Sequence, residues 1–240
     1  MKPLNTRRNV AVVLAGGVGA RMGAGIPKQL LTVCGRTVLE HTIDAFEKNA
    51  NIDEIIVVAN PAIIGRVKAW QGTWKKVRHI VEGGRERSDS SKAAIRAYGD
   101  EDCNLIFHDA VRMLVSQDII DRVCTALLTH EAVDVAIPST DTILCVREGC
   151  IESIPDRSCL FRSQTPQAFR RQLIAQAYEL AATDPAFRAT DDCGVVLKYV
   201  PDAHIFVVDG EERNIKITYP EDIPYVEHLM TAACENPKTT

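Results

Sequence analysis

The sequence has no basic excess: 28 Lys and Arg stand against 32 Asp and Glu, a net charge of -4. A surface built for general nucleic-acid binding needs the opposite balance, because it works by displacing counterions from phosphates. No apolar run approaches the roughly 20 residues that cross a bilayer. Residues 1–8 lead into an expected strand without the apolar core of a secretory signal. Eight cysteines are present, but Cys34, Cys103, Cys124, Cys145, Cys150, Cys159, Cys193 and Cys234 contain no CxxC pair. Neither a disulfide framework nor a metal ribbon is indicated, and the expectation is buried, reduced thiols in a cytoplasmic protein.

Two familiar phosphate-binding motifs are also missing. The first strand ends in Gly16-Gly17-Val18-Gly19-Ala20-Arg21-Met22-Gly23. A P-loop would place Gly-Lys-Ser/Thr after four residues, but here Lys28 follows Pro27 and precedes Gln29. A dinucleotide fingerprint needs GxGxxG, and the position after Gly17 and Gly19 is Met22. The segment does contain glycines that let backbone N–H groups approach an anion, bracketed by Arg21 and Lys28. Such a set would neutralise charge building on a departing pyrophosphate. A plain strand-to-helix turn with solvated charges is the alternative.

With 46% apolar residues, the 240-residue chain suits one large α/β domain or one domain with an inserted arm. Apolar runs predict strands over 9–15, 55–58, 77–81, 105–107, 133–137 and 205–208. Helical spacing falls at 39–46, 61–70, 85–98, 116–128, 169–182 and 221–233. Pro61 sits where a helix tolerates it, and Ser116 is placed to cap the next helix but one. The alternation implies βαβ units and a Rossmann-like, mostly parallel sheet flanked by helices. It breaks at about 140–165, where 142–147 and 150–154 flank Glu148-Gly149 as a hairpin. A protruding β-arm is expected there.

Two further segments fall where ligands bind in open α/β sheets, beyond the carboxyl ends of strands. Gly83-Gly84 opens a helix whose Arg87, Ser90, Ser91 and Ala94 share one face. The glycines let the chain pass close to a flat base, and Ser90 is suited to its polar edge or the ribose. Asp109, in His108-Asp109-Ala110-Val111-Arg112, is placed to orient a substrate hydroxyl or meet Mg²⁺. Arg112 is placed to pair with Asp109 or hold a phosphate. His108 reads as a packed, hydrogen-bonded residue.

Taken together, the segments resemble the IspD/TarI-type cytidylyltransferases, within the GT-A-like nucleotidyltransferases. The likeness runs from about Val10 to Leu229. It rests on LAGGxGxRMG with Pro27-Lys28-Gln29; Gly83-Gly84 with Arg87 and Ser90; HDAVR; Asp141-Thr142-Ile143; and Asp156-Arg157-Ser158. To these add Gln164-Thr165-Pro166-Gln167-Ala168-Phe169, Thr190-Asp191-Asp192 and Asn214-Ile215-Lys216-Ile217-Thr218.

The resemblance implies in-line attack of a polyol phosphate on the α-phosphorus of CTP, with Mg²⁺-pyrophosphate leaving. It implies catalytic roles for Arg21, Lys28, Arg157 and Lys216. CTP would lie against Leu14, Ala15, Gly16, Gly17, Gly19, Gly83, Gly84, Arg87 and Ser90. The acceptor would meet Asp109, Arg112, Thr142, Thr165 and Thr190. It also implies a homodimer whose arm carries Arg157 and Thr142 to the partner's site. Val111 and Met113 depart from the isoprenoid branch's usual residues; Val111, Phe161 and Cys193 lean the acceptor toward ribitol 5-phosphate, while Ala110 and Asp191-Asp192 lean toward 2-C-methyl-D-erythritol 4-phosphate. A non-catalytic nucleotide-binding regulator and a UTP- or GTP-dependent sugar-1-phosphate enzyme are the rivals. The four cations speak against the first, and the QTPQ element against the second.

Overall fold

The computed structural model describes residues 7–17, 26–84 and 86–235. Gly19 and Arg21 of the glycine loop lie outside them. The chain opens with β1 (Arg8–Ala15), then a small hairpin of β2 (Thr32–Val33) and β3 (Arg36–Thr37) and helix α1 (Val38–Lys48). Next come β4 (Glu54–Ala59), α2 (Pro61–Lys68), β5 (Val77–Glu82), α3 (Arg87–Ala97), β6 (Cys103–Asp109), α4 (Gln117–Ala126) and β7 (Ala132–Pro138). The arm holds β8 (Cys145–Arg147) and β9 (Cys150–Ser153). Then β10 (Phe161–Ser163) and β11 (Gln167–Arg170) return the chain to the sheet. It ends with α5 (Arg171–Ala181), α6 (Asp192–Tyr199), β12 (Ile205–Asp209) and α7 (Asp222–Glu235).

The main sheet runs β5-β4-β1-β6-β11-β7, with β10 continuing beside β7 and β12 on the far side of β7. β1, β4, β5 and β6 are mutually parallel, and so are β7 and β12. β11 is antiparallel to both β6 and β7, which makes β7 and β12 point the same way as β6. Six strands therefore deliver their carboxyl ends to one edge.

β1 is apolar from Val10 to Ala15 because both faces are covered there. Val10, Val12 and Leu14 enter a core with Ile56, Val58, Leu105, Phe107 and Phe169 under α3, α5 and α6. Ala11, Val13 and Ala15 point oppositely, into a core with Leu39, Ile43, Phe46, Ile63 and Ile119 under α1, α2 and α4. A third cluster packs Val33, Val38, Val111, Met113, Leu114 and Ile217 against Val226 of α7.

Helix starts follow local chemistry. Thr37 Oγ1 accepts from Glu40 N at 3.2 Å while Glu40 accepts from Thr37 N at 2.8 Å. Such a cap contributes about 1 kcal/mol. Pro61 is the first residue of α2, and Ser116 accepts from Ile119 N at 3.1 Å, both as expected. Glu148 and Gly149 have φ of 50° and 80°, the left-handed pair that a two-residue hairpin of right-handed twist requires.

Two expectations are corrected, and one element appears that the sequence did not announce. Phe169 does not begin a helix: Gln167–Arg170 is a strand wedged between β6 and β7, whose ladders take its backbone groups. The helix α6 carries no strong sequence signal, since Gly194, Val195 and Val196 are weak helix formers. It forms because Asp191 caps Gly194 N at 2.8 Å and Val195 and Val196 are buried. The described cysteines are not all buried: Cys34, Cys145, Cys150 and Cys159 are exposed, while Cys103, Cys124 and Cys193 are buried. Among the described residues no helix is long and apolar enough to cross a membrane.

Candidate active site

A cleft opens at the shared carboxyl edge, where loops from four strands meet. β1 contributes Leu14, Gly16 and Gly17; the segment after β5 contributes Glu86, Arg87 and Ser90. Asp109 and Val111 come from the end of β6, Lys216 from the loop after β12, and Lys28 from the turn before β2.

Ser90 forms one wall. Its hydroxyl is buried and has no hydrogen-bonding partner among the described residues. A Cβ at Gly16 would lie 2.5 Å from that oxygen, and one at Gly83 would lie 2.6 Å from it. Both positions must be glycine for Ser90 to sit where it does. Leaving a hydroxyl unpaired in such a place costs about 1–3 kcal/mol, a cost that a polar ligand removes. Gly84 serves the helix instead: a Cβ there would meet Asp89 Cβ at 2.2 Å.

The floor is charged. Asp109 Oδ2 lies 2.8 Å from Lys216 Nζ, and Oδ1 lies 3.6 Å from Arg87 Nε. Burial works against the carboxylate's charge, yet Arg87, Lys216 and Arg112 outweigh it and hold Asp109 well below the usual carboxylate range. Arg87 Nη1 reaches the fully buried Asp192 at 2.6 Å. Burial opposes the guanidinium's charge as well, but Asp192 and Asp109 more than offset it.

Lys216 is aimed by a braced loop. Asn214, fully buried, donates from Nδ2 to Thr165 O at 2.9 Å and Gln164 Oε1 at 3.1 Å. Arg112 donates to Asn214 O at 2.7 Å, and Lys28 Nζ to Ile217 O at 3.2 Å. Thr165 Oγ1 accepts from Asp109 N at 3.2 Å and donates to His108 Nδ1 at 3.0 Å. That leaves the His108 Nε2 proton for Arg112 O, also at 3.0 Å. Burial pushes His108 down to about 4, so the imidazole is neutral near pH 7 and serves packing, as expected from the sequence.

The structure thus brings Leu14, Gly16, Gly17, Lys28, Arg87, Ser90, Asp109 and Lys216 to one cleft. Gly83 supports Ser90 from behind, and Ala15 lies fully buried in the core beneath. Arg112 and Thr165 brace the floor and do not line the cleft. Thr190 is exposed just before α6. Arg157 and Thr142 sit on the exposed arm, where Arg157 Nη1 donates to Thr140 O at 3.2 Å. Glu86, Asn214 and Asp192 carry no site role by residue type alone; the last two lie within quoted motifs, but only burial reveals what they hold.

Among known proteins, the model of the family described as "IspD: 2-C-methyl-D-erythritol 4-phosphate cytidylyltransferase" matches residues 9–232. The chain belongs to the IspD family.

A 2-C-methyl-D-erythritol 4-phosphate cytidylyltransferase of Thermobifida fusca is 46% identical, covering 95% of this chain and 96% of its own. The crystal structure of 4-diphosphocytidyl-2C-methyl-D-erythritol synthase from Anaerococcus prevotii superposes with a TM-score of 0.83 at 30% identity. It covers 94% of this chain and 96% of its own. A bifunctional ribulose 5-phosphate reductase/CDP-ribitol pyrophosphorylase from Haemophilus influenzae is 42% identical over 95% of this chain, which spans 49% of that protein. As a member of the IspD family, the chain is a CTP-dependent cytidylyltransferase that transfers CMP to a polyol phosphate.

The lean toward ribitol 5-phosphate is not confirmed: the most similar of these relatives is named for 2-C-methyl-D-erythritol 4-phosphate, and the CDP-ribitol enzyme is less similar. The structure gives a physical reason to discount it. Met113, which departs from the isoprenoid branch, and Cys193, which leans toward ribitol, are buried in cores, and Phe161 is exposed on β10. Of the four, only Val111 lines the cleft.

Proposed function

We propose that the acceptor is 2-C-methyl-D-erythritol 4-phosphate and that the product is its cytidine diphosphate conjugate. The observation that carries this choice is the 46% identity, over nearly the full length of both chains, to a relative of that name. An oxygen of the acceptor phosphate attacks the α-phosphorus of CTP, the bond to the β-phosphate breaks, and pyrophosphate leaves. Cytosine and ribose lie against Gly16, Gly17 and Ser90, whose unpaired hydroxyl gains a partner. Lys28 and Lys216 face the phosphates, a role that the family likeness alone extends to Arg21. The attacking oxygen is already anionic near neutral pH, so the protein's work is to hold two repelling anions in line.

Magnesium suits this donor set. Among the described residues no three His, Cys, Asp or Glu side chains converge as a metal cage. A Mg²⁺ ion carried by the triphosphate needs only one or two protein carboxylates, and Asp109 is the one on the cleft floor. When bound, the ion supplies charge neutralisation for the departing pyrophosphate.

The working form is a cytoplasmic homodimer in which each arm completes the partner's site. Arg157 and Thr142 stand on the arm and do not line their own chain's cleft. Ile143, Leu144, Val146, Ile151, Ile154 and Phe161 leave an apolar surface on and beside the arm, between 43% and 59% exposed, that wants cover.

A second reading keeps ribitol 5-phosphate as acceptor, favoured by the Haemophilus influenzae relative and by Val111 in the cleft. Pyrophosphate release should be measured with CTP, UTP, GTP and ATP against methylerythritol 4-phosphate, ribitol 5-phosphate and glycerol 3-phosphate. The expected result is CTP-dependent release with kcat/KM at least about 10-fold higher for methylerythritol 4-phosphate. A preference for ribitol 5-phosphate of that size would establish the second reading instead.

A further inference from the structure

We infer that Asp192 is a positioning residue for the transfer reaction: it holds Arg87 so that Lys216 remains the close partner of Asp109. The inference rests on the cleft being the cytidylyltransferase site. Asp192 is fully buried and touches no cleft surface, yet its carboxylate is the nearest acid to a cleft-lining guanidinium. Oδ2 accepts from Arg87 Nη1 at 2.6 Å and Oδ1 from Tyr178 Oη at 2.7 Å. Its backbone is pinned as well: Gln167 Oε1 accepts from Asp192 N at 3.1 Å and from Cys193 N at 3.4 Å. Gln167 Nε2 in turn donates to Asp191 at 2.9 Å and to Asp134 at 3.2 Å. The carboxylate is thus fixed from its side chain and its main chain, at the first turn of α6, where a negative charge is favoured.

What this anchoring does is visible one step further in. Arg87 Nε stands 3.6 Å from Asp109 Oδ1, too long for a direct hydrogen bond, while Lys216 Nζ occupies Oδ2 at 2.8 Å. A guanidinium released from Asp192 would have Asp109 as its only acidic partner among the described residues and would close on it with its fork of donors. Lys216 would then lose its close partner, and the ammonium proposed to meet the reacting phosphates would be displaced. Arg87 Nη2, buried and without a hydrogen-bonding partner among the described residues, would also move from its place. The consequence is a loss of transition-state stabilisation caused by a residue that touches neither reactant.

The test is a double-mutant cycle on kcat/KM for CTP, in the full-length enzyme with saturating acceptor. Asp192→Asn keeps the shape and a hydrogen-bonding oxygen for Tyr178 but removes the charge. It is expected to lower kcat/KM about 10- to 100-fold, with Arg87→Met producing a similar loss. If Asp192 acts through Arg87, adding Asp192→Asn to Arg87→Met costs less than about 2-fold more. The double variant should also melt at a higher temperature than Arg87→Met alone, which buries an unpaired carboxylate. Multiplicative losses in the double variant overturn the inference, because a separate structural role would add to that of Arg87.

If Arg87→Met does not fold, Tyr178→Phe replaces it. That change is expected to lower kcat/KM about 3-fold in the wild-type background and by less than about 1.5-fold on top of Asp192→Asn. An equal loss in both backgrounds overturns the inference. A wild-type enzyme with no CTP turnover would instead sink the functional reading on which it rests.

Discussion

Lys216→Ala is expected to lower kcat by about 10²–10³ while leaving the fold intact, the scale for losing one preorganised charge-stabilising donor. The reaction brings a phosphate monoester against a triphosphate, so positive charge fixed in place before the reactants arrive lowers the barrier directly. Lys216 supplies it from a loop tied down at Asn214 and Ile217, with its ammonium against the buried Asp109. Its side chain is 43% exposed, so removing it opens no core cavity. Asp109 keeps Arg87 nearby, which limits the cost of the vacated ion pair. Pyrophosphate release under saturating CTP and acceptor measures the effect, and circular dichroism verifies the fold. Turnover within a few-fold of wild type would remove Lys216 from the chemistry.

Mixing two inactive variants should restore activity if the arm crosses to a partner. Arg157→Ala is expected to abolish most turnover, because in its proposed role the guanidinium grips a phosphate with two donors and alanine offers no substitute. Arg157 and Lys216 act in the same site but, on this account, come from different chains. In a heterodimer of Arg157→Ala and Lys216→Ala protomers, one site carries both defects and the other carries neither. Random exchange of subunits should therefore return about a quarter of wild-type activity from two preparations that are each nearly silent. The measurement is turnover after co-refolding the two variants, with the separately refolded samples as the baseline. No recovery, with heterodimers demonstrated by a mass tag, would mean that the arm serves its own chain or none.

The sheet was legible because its strands are buried on both sides. The continuous apolar run of β1 and the repeating glycine or aspartate at strand ends placed the carboxyl edge before any geometry was known. Ser116 and Pro61 marked helix starts for reasons local to the chain. What failed to show was decided at long range. Phe169 lies in an apolar pattern that suits helix or strand alike, and only the neighbours β6 and β7 make it a strand. α6 forms on a cap and two buried valines despite weak intrinsic preference.

The same division runs through the site. Gly16, Gly83 and Ser90 were visible as residue types suited to a ligand, but their shared reason, one hydroxyl wedged between two missing Cβ atoms, needs three dimensions. Arg112 and Thr165, expected as ligand contacts, also brace the loop and the histidine beneath the floor, which no local pattern announces. Asp192 stands out in the sequence only as part of Thr190-Asp191-Asp192, and its link to Arg87 spans 105 residues of chain.

A crystal structure of the enzyme with CTP and Mg²⁺ tests the central claim most directly. The account predicts cytosine and ribose packed on Gly16 and Gly17, with a hydrogen bond to Ser90 Oγ, and the α-phosphate within hydrogen-bonding distance of Lys216 Nζ. A nucleotide bound outside this cleft, or lying in it with Ser90 still unpaired and Lys216 turned away from the phosphates, would contradict it.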